Sequence, residues 1–160
     1  MSFHYDVNFI NPFLEGVLNV LSTMANVEAR PGKPFLNKKR KALGDVTGVI
    51  DVSGYARGTI ALSLSKESIL KIVNNMLYEN YTEIDDQIMD AVGELTNMIT
   101  GQARAKLSEQ GMSFQASTPH VVNGKGVKVE HIETAPILAI PFQTPDGNFT
   151  VEVCFTENET

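Results

Sequence analysis

A chain of 160 residues is the size of one domain and long enough to bury a sizeable core. Its 42% hydrophobic and 20% charged content belongs to an ordinary globular protein, not a disordered one, and no apolar run approaches the roughly 18 residues of a membrane span. The net charge of −6 argues against nucleic acid or an anionic membrane as partner and suits a partner with a positive or metal-bearing surface. With no Pro/Ser-rich linker, residues 1–160 read as a single domain. The opening Met1-Ser-Phe-His-Tyr-Asp6 lacks the basic region and apolar stretch of a signal peptide, so the expected location is the cytoplasm.

The first helix is expected from near Asn11 to Met24, with Asn11 as N-cap and Pro12 at the first helical position. Phe13, Leu14, Val17, Leu18, Leu21 and Met24 form its apolar face. Residues 29–43 hold Pro31-Gly32, Pro34 and the run Lys38-Lys39-Arg40-Lys41, and read as a solvated loop leading into a polar strand start. Strands near Asp45–Val52 and Gly58–Leu64 flank Gly54-Tyr-Ala-Arg-Gly58, so an antiparallel hairpin is expected. In the second of them Ile60, Leu62 and Leu64 face one way and Thr59, Ala61 and Ser63 the other.

Ser65 is placed to cap a short helix carrying Ile69, Ile72, Val73, Met76 and Leu77. After a turn around Asn80–Glu83, with Thr82 as the expected cap, a long helix runs from about Ile84 to Leu107. Beyond Gln110-Gly111 the chain is strand-rich, with candidates at Met112–Ser117, Val127–Ile132, Ile137–Phe142 and Phe149–Phe155 and turns at Asn123–Gly126 and Pro145–Gly147. Helices in runs and hairpin-type connections predict an α+β fold, a largely antiparallel sheet packed against long helices.

The long helix carries the most informative pattern. Ile84, Ile88, Ala91, Val92, Leu95, Ile99, Ala103 and Leu107 mark one buried stripe. At roughly 100° per residue, Asp90, Glu94, Asn97 and Gly101 fall within about a 60° arc nearly opposite it. A carboxylate and a carboxamide are thus expected side by side on a solvent-facing surface. Gly93 and Gly101 sit in the helix interior, where each costs about 0.8–1 kcal/mol relative to Ala, and Thr96 and Thr100 add β-branching. Small residues beside Glu94 and Asn97 are what close approach of another surface requires. Ordinary exposed polar residues with two tolerated glycines are the plain alternative from spacing alone.

Rival chemistries lack support. Gly124-Lys-Gly126 lies in an expected hairpin turn, not at a phosphate-binding strand–helix junction. His4, His120 and His131 have no metal-ligand spacing, His120 beside Pro119 reads as a loop residue, and no Ser-His-Asp or Cys-His signature is present. Cys154, the only cysteine, sits in an alternating strand and reads as a small buried hydrophobe. A surface Glu–Asn pair remains: the amide both donates and accepts hydrogen bonds and so can orient a water, while the carboxylate pairs with a cation.

Asp90, Glu94, Asn97 and Pro119 together resemble the motif of the CheC/CheX/FliY family of bacterial chemotaxis phosphatases, most like the CheX type. That pattern is an acidic or Ser residue, three residues, Glu, two residues, Asn, then a Pro a little over twenty residues on. The likeness extends over roughly residues 5–156 and implies a CheC-like fold. It implies a phosphatase acting on the aspartyl phosphate of a CheY-type response regulator, with Glu94 paired to the regulator's active-site lysine and Asn97 inserted to orient the attacking water. Asp90, Gly93 and Gly101 would belong to the docking surface. Mg²⁺ would come with the regulator, so no metal or cofactor is expected on this chain, and a homodimer formed through the sheets is implied. CheC-type members carry a second motif on the first helix; here Glu15 is followed three residues on by Leu18, with Asn19 one residue too far, so a single site is expected. The alternative is a non-catalytic binding or scaffold module in chemotaxis or flagellar switch signalling, which shares the fold without the motif. A small-molecule site between helix and sheet has no polar constellation inside the core to support it.

Overall fold

Three helices and eight strands form from the residues that the structure, a computed structural model, describes: 3–131 and 135–157. Helix α1 spans Val7–Met24, so the sequence expectation starts it more than a turn too late. Asp6, not Asn11, is the N-cap, its carboxylate accepting from the Phe9 amide at 3.0 Å. Packing explains the difference. Phe9 meets Phe3 and Phe155 edge-on, with centroids 4.8 and 5.0 Å away, and Ile10 is buried beside it. This contact extends the helix through Pro12, which sits buried inside it and gives up one backbone donor.

Tyr5 fastens the segment before α1 to the end of the sheet. Its hydroxyl donates to the Pro136 carbonyl at 2.9 Å and accepts from the Phe155 amide at 2.8 Å. Burial pushes the phenol up from 10.0 to about 12, although the Phe155 hydrogen bond acts the other way. A raised pKa in the folded state means that this contribution is complete below the unfolded value of 10.0 and is lost as pH climbs toward about 12. Unfolding free energy measured by urea titration is therefore expected to fall between pH 10 and 12, and to fall less in Tyr5→Phe. At neutral pH the same substitution is expected to cost about 1–2 kcal/mol, since it strands the Phe155 amide. An unchanged midpoint would contradict the tether.

All strand pairs are antiparallel. Strands β1 (Arg30–Pro31), β2 (Phe35–Leu36), β3 (Val46–Gly54), β4 (Ala56–Leu64), β5 (Phe114–Ala116), β6 (His120–Asn123), β7 (Leu138–Thr144) and β8 (Gly147–Glu157) make one sheet. Its order is β1-β7-β8-β4-β3-β5, with β2 also on β7 and β6 also on β3. The expected α+β architecture is thus the observed one. The hairpin pairs Val46 with Leu64 and Ile50 with Ile60. Its inward residues Val46, Ile50, Ile60, Leu62 and Leu64 share a core with α1, helix α2 (Lys66–Leu77) and helix α3 (Asp86–Glu109). Ser65 caps α2 as expected, accepting from the Ser68 amide.

The other face of the sheet is covered too, which strand alternation did not reveal. Val49 and Ala61 pack there against Ala42 and Val129. Polar contacts hold this covering. Glu152, 1% exposed, accepts from Asn37 Nδ2 at 2.6 Å and lies 3.4 Å from His131 Nε2. Arg40, in the basic run, is half-buried and donates to the Ala135 carbonyl at 2.8 Å and toward Cys154 Sγ, so that run is not uniformly solvated. Cys154 is buried as expected and donates to Ala135 O at 3.2 Å. The buried Asn37–Glu152–His131 contact is a polar constellation that sequence reading missed.

Three further expectations are corrected. Residues 29–43 supply β1 and β2, which edge β7. The stretch 127–131 is not a strand: the alternation of Val127 and Val129 serves packing on the outer face, with a single bridge between Lys41 and Lys128, and Ile132 lies outside the described residues. His120, read as a loop residue, opens β6 instead.

Candidate active site

Helix α3 is capped by Asp85, whose carboxylate accepts from the Ile88 amide at 2.9 Å, so Thr82 is not the cap. Its buried stripe is Ile88, Val92, Leu95, Thr96, Ile99, Thr100, Ala103 and Leu107. Ile84 precedes the helix, partly buried. Thr96 and Thr100, read from sequence as oddities favouring a docking face, belong instead to this stripe. Their hydroxyls bond back to the carbonyls of Val92 at 2.7 Å and Thr96 at 2.8 Å, which satisfies them in the core.

The seat of α3 on the sheet is set by Gly48 of β3. A Cβ at Gly48 would overlap Thr96 Oγ1 and lie 3.1 Å from Thr96 Cβ and 3.3 Å from Val92 Cγ1. Only the missing side chain lets the helix come this close. The turn of α3 resting on Gly48 is the turn that carries Glu94 and Asn97 on its far side.

Asp90, Glu94 and Asn97 are exposed, as expected. Among the described residues, no hydrogen bond or ion pair engages the side chain of any of them. They share one groove of about 760 Å³ with Asp86, Met89, Gly93, Thr118, Pro119 and Val121. Its helix wall carries three carboxylates, and among the described residues no basic side chain lines it. Pro119, distant in sequence, is thereby brought beside the helix motif. Gly101 is not: it lies one turn past Asn97, outside the lining. Gly93 has ordinary room, since an added Cβ would have only Val121 Cγ2 within 4 Å, at 3.7 Å. Among the described residues, nothing therefore requires glycine there.

The opposite wall comes from a β-bulge. β5 pairs Ala116 with Val52, and β6 pairs His120 with Val49. Ile50 and Asp51 on β3 are thus matched by three residues, Ser117, Thr118 and Pro119. Ser117 stays attached, its amide donating to Asp51 O at 2.9 Å and its hydroxyl accepting from the Asp51 amide at 3.2 Å. Proline at this point sacrifices no ladder bond. Asp86, Met89, Thr118 and Val121 are the groove residues that sequence reading did not single out. Thr118 comes from the bulge and Val121 from β6, an edge strand too short to announce itself.

On α1, Asn19 Nδ2 donates to Gln102 Oε1 at 2.7 Å, and Glu15 lies 4.0 Å from Lys106 Nζ. Both polar residues of the degenerate second motif are turned to α3. Among the described residues, no group of three His, Cys, Asp or Glu side chains is arranged to hold a metal ion, and no helix is long and apolar enough to cross a membrane.

The chain is similar to several known proteins. The CheY-P phosphatase CheX of Thermotoga maritima is 28% identical over 126 residues, 78% of this chain and 81% of its own. A CheC-like superfamily protein from Shewanella sp. PV-4 superposes with a TM-score of 0.86 at 44% identity, covering 94% of this chain and 98% of that one. CheX in the CheX–CheY–BeF₃–Mg²⁺ complex from Borrelia burgdorferi superposes at 0.78 with 26% identity, covering 95% and 100%. Residues 46–143 match the family model described as chemotaxis phosphatase CheX. With most of its length matched in sequence and in fold, the chain belongs to the chemotaxis phosphatase CheX family.

Proposed function

We propose that the chain is a response-regulator phosphatase that hydrolyses the aspartyl phosphate of a CheY-type receiver, with Glu94 and Asn97 as its contribution to the active site. The observation that carries this reading is the pair itself: exposed, unengaged, one helical turn apart and set in an acidic groove. Family membership and the named activity of the Thermotoga relative support it. A scaffold role is weaker, because a scaffold has no use for an unpaired Glu–Asn set.

Asn97 Oδ1 accepts a hydrogen bond from a water and holds it in line with the phosphorus. The water oxygen bonds to phosphorus as the phosphorus–aspartate oxygen bond breaks, inorganic phosphate departs, a proton passes to solvent, and the receiver's carboxylate is regenerated. Glu94 pairs with the receiver's active-site lysine and fixes the depth and register of Asn97. Mg²⁺ travels with the receiver and neutralises phosphoryl charge; the Borrelia complex of CheX, CheY, BeF₃ and Mg²⁺ supports that assignment. Asp90 and Gly93 join the docking surface. Gly101, on the same face of α3 but outside the groove, has a peripheral part in it.

Two copies are proposed to associate through the sheet in the cytoplasm. The edge carrying β2 favours this, because Phe35 and Leu36 are 42% and 49% exposed there.

Mixing the purified chain with phosphorylated receivers and Mg²⁺, and following phosphate loss, tests the proposal. Accelerated decay with the cognate receiver is expected; unchanged decay with every CheY-type receiver of the same cell would contradict it. Gly93→Ala separates docking from packing. It is expected to stabilise the helix by up to about 1 kcal/mol and yet raise KM several-fold, since the added methyl stands where the receiver approaches. A stabilised variant with unaltered KM would remove Gly93 from the docking surface.

A further inference from the structure

We propose that the Ser117–Pro119 bulge is a docking wall that touches the receiver beside its phosphorylated aspartate, with Thr118 as the contact residue that helps select the cognate receiver. This rests on the phosphatase reading above.

Register carries the argument. Val121 lies opposite Gly48, and the face of Gly48 is the one pressed against Thr96 of α3. Val121 therefore points toward the motif helix, and its Cγ2 is the atom that an added Cβ at Gly93 would meet. His120 lies opposite Val49, which packs on the outer face of the sheet. Ala116 lies opposite Val52, which belongs to the helix-side core. Had the strand run from Ala116 without a bulge, strict alternation would have aimed His120 at α3 and Val121 away from it. The extra residue reverses this. It exchanges an imidazole for a small apolar side chain next to Glu94 and leaves Thr118 and Pro119 projecting as a rim.

Thr118 is exposed, and its hydroxyl has no partner among the described residues. Its backbone is fixed, because Ser117 is tied to Asp51 on one side and Pro119 restricts the chain on the other. The wall is thus rigid, polar at its crest and set across a groove from Glu94 and Asn97. Any receiver that brings its phosphorylated site to Asn97 must pass this crest, so the residues flanking that site are read by it.

The test measures affinity for a beryllofluoride-activated receiver with Mg²⁺, which needs no turnover. Thr118→Trp is expected to weaken binding tenfold or more, and Thr118→Gln, smaller and uncharged, severalfold. His120→Trp, the same insertion two residues along and aimed at the outer side, is expected to bind within twofold of the unmodified chain. KM in the phosphatase assay should rise with Kd, with kcat falling far less. Thermal melts check that each variant is folded; should Thr118→Trp fail to fold, Thr118→Gln decides. Equal affinities of the Thr118 and His120 variants would overturn the docking wall. Failure of the unmodified chain to bind any activated receiver would instead overturn the phosphatase reading.

Discussion

Asn97→Ala is expected to lower phosphatase turnover roughly 100-fold or more while leaving the protein as stable as before. The loss follows from the task assigned to the amide, which no neighbouring side chain can assume. Glu94 is committed to the receiver's lysine, Asp90 stands about two helical turns from Asn97 on α3, and Thr118 stands on the far wall. The retained stability follows from exposure. The Asn97 side chain makes no contact that folding depends on, and at an exposed helix position Ala is a better helix former than Asn. Binding of an activated receiver should survive, since Glu94 still provides the ion pair. Stopped-flow phosphate release beside a thermal melt checks both halves. An inactive variant that also melted early would point to structural damage rather than chemistry.

Gly48→Ala is expected to destabilise the protein by about 1–3 kcal/mol, a large effect for one added methyl. The added methyl would overlap Thr96 Oγ1, and rotating that hydroxyl away breaks its 2.7 Å bond to the Val92 carbonyl. Even then, Thr96 Cβ remains 3.1 Å from the new carbon. The helix must lift, and lifting it carries Glu94 and Asn97 away from Thr118 and Pro119, so activity should fall with stability. Thr96→Ala removes the obstructing atom. The double substitution Gly48→Ala/Thr96→Ala should therefore be more stable than the sum of the single losses, with an interaction of about 0.5–3 kcal/mol. Strict additivity in urea unfolding would refute the close seat of α3 on β3.

The helix face that carries Asp90, Glu94 and Asn97 was legible because a three-and-four spacing over many residues leaves little freedom about which side is buried. The hairpin and the Ser65 cap were legible for similar local reasons. The start of α1 was not, because an aromatic contact among Phe3, Phe9 and Phe155, remote in sequence, outweighs the local signal of Asn11-Pro12. Thr96 was misread because its β-branching was weighed without Gly48, whose missing side chain gives it a place in the core, and Thr100 follows one turn on in the same buried stripe. Half of the groove was invisible for a related reason. β6 is a four-residue strand with a proline before it, and its bulge exists only in register against β3. The polar layer of Asn37, Glu152 and His131 likewise joins segments that show no sign of each other in sequence.

Glu94 and Asn97 are proposed to form half of an active site that a phosphorylated receiver completes. The most direct measurement is the decay rate of a phosphorylated cognate receiver, with Mg²⁺, as a function of the concentration of this chain, for the unmodified protein, Glu94→Ala and Asn97→Ala. The unmodified chain should give a rate that rises and saturates. Glu94→Ala should shift the curve to higher concentration and lower its plateau, and Asn97→Ala should saturate at a rate near that of the receiver alone. A full plateau in Asn97→Ala would contradict the account, whatever the affinity.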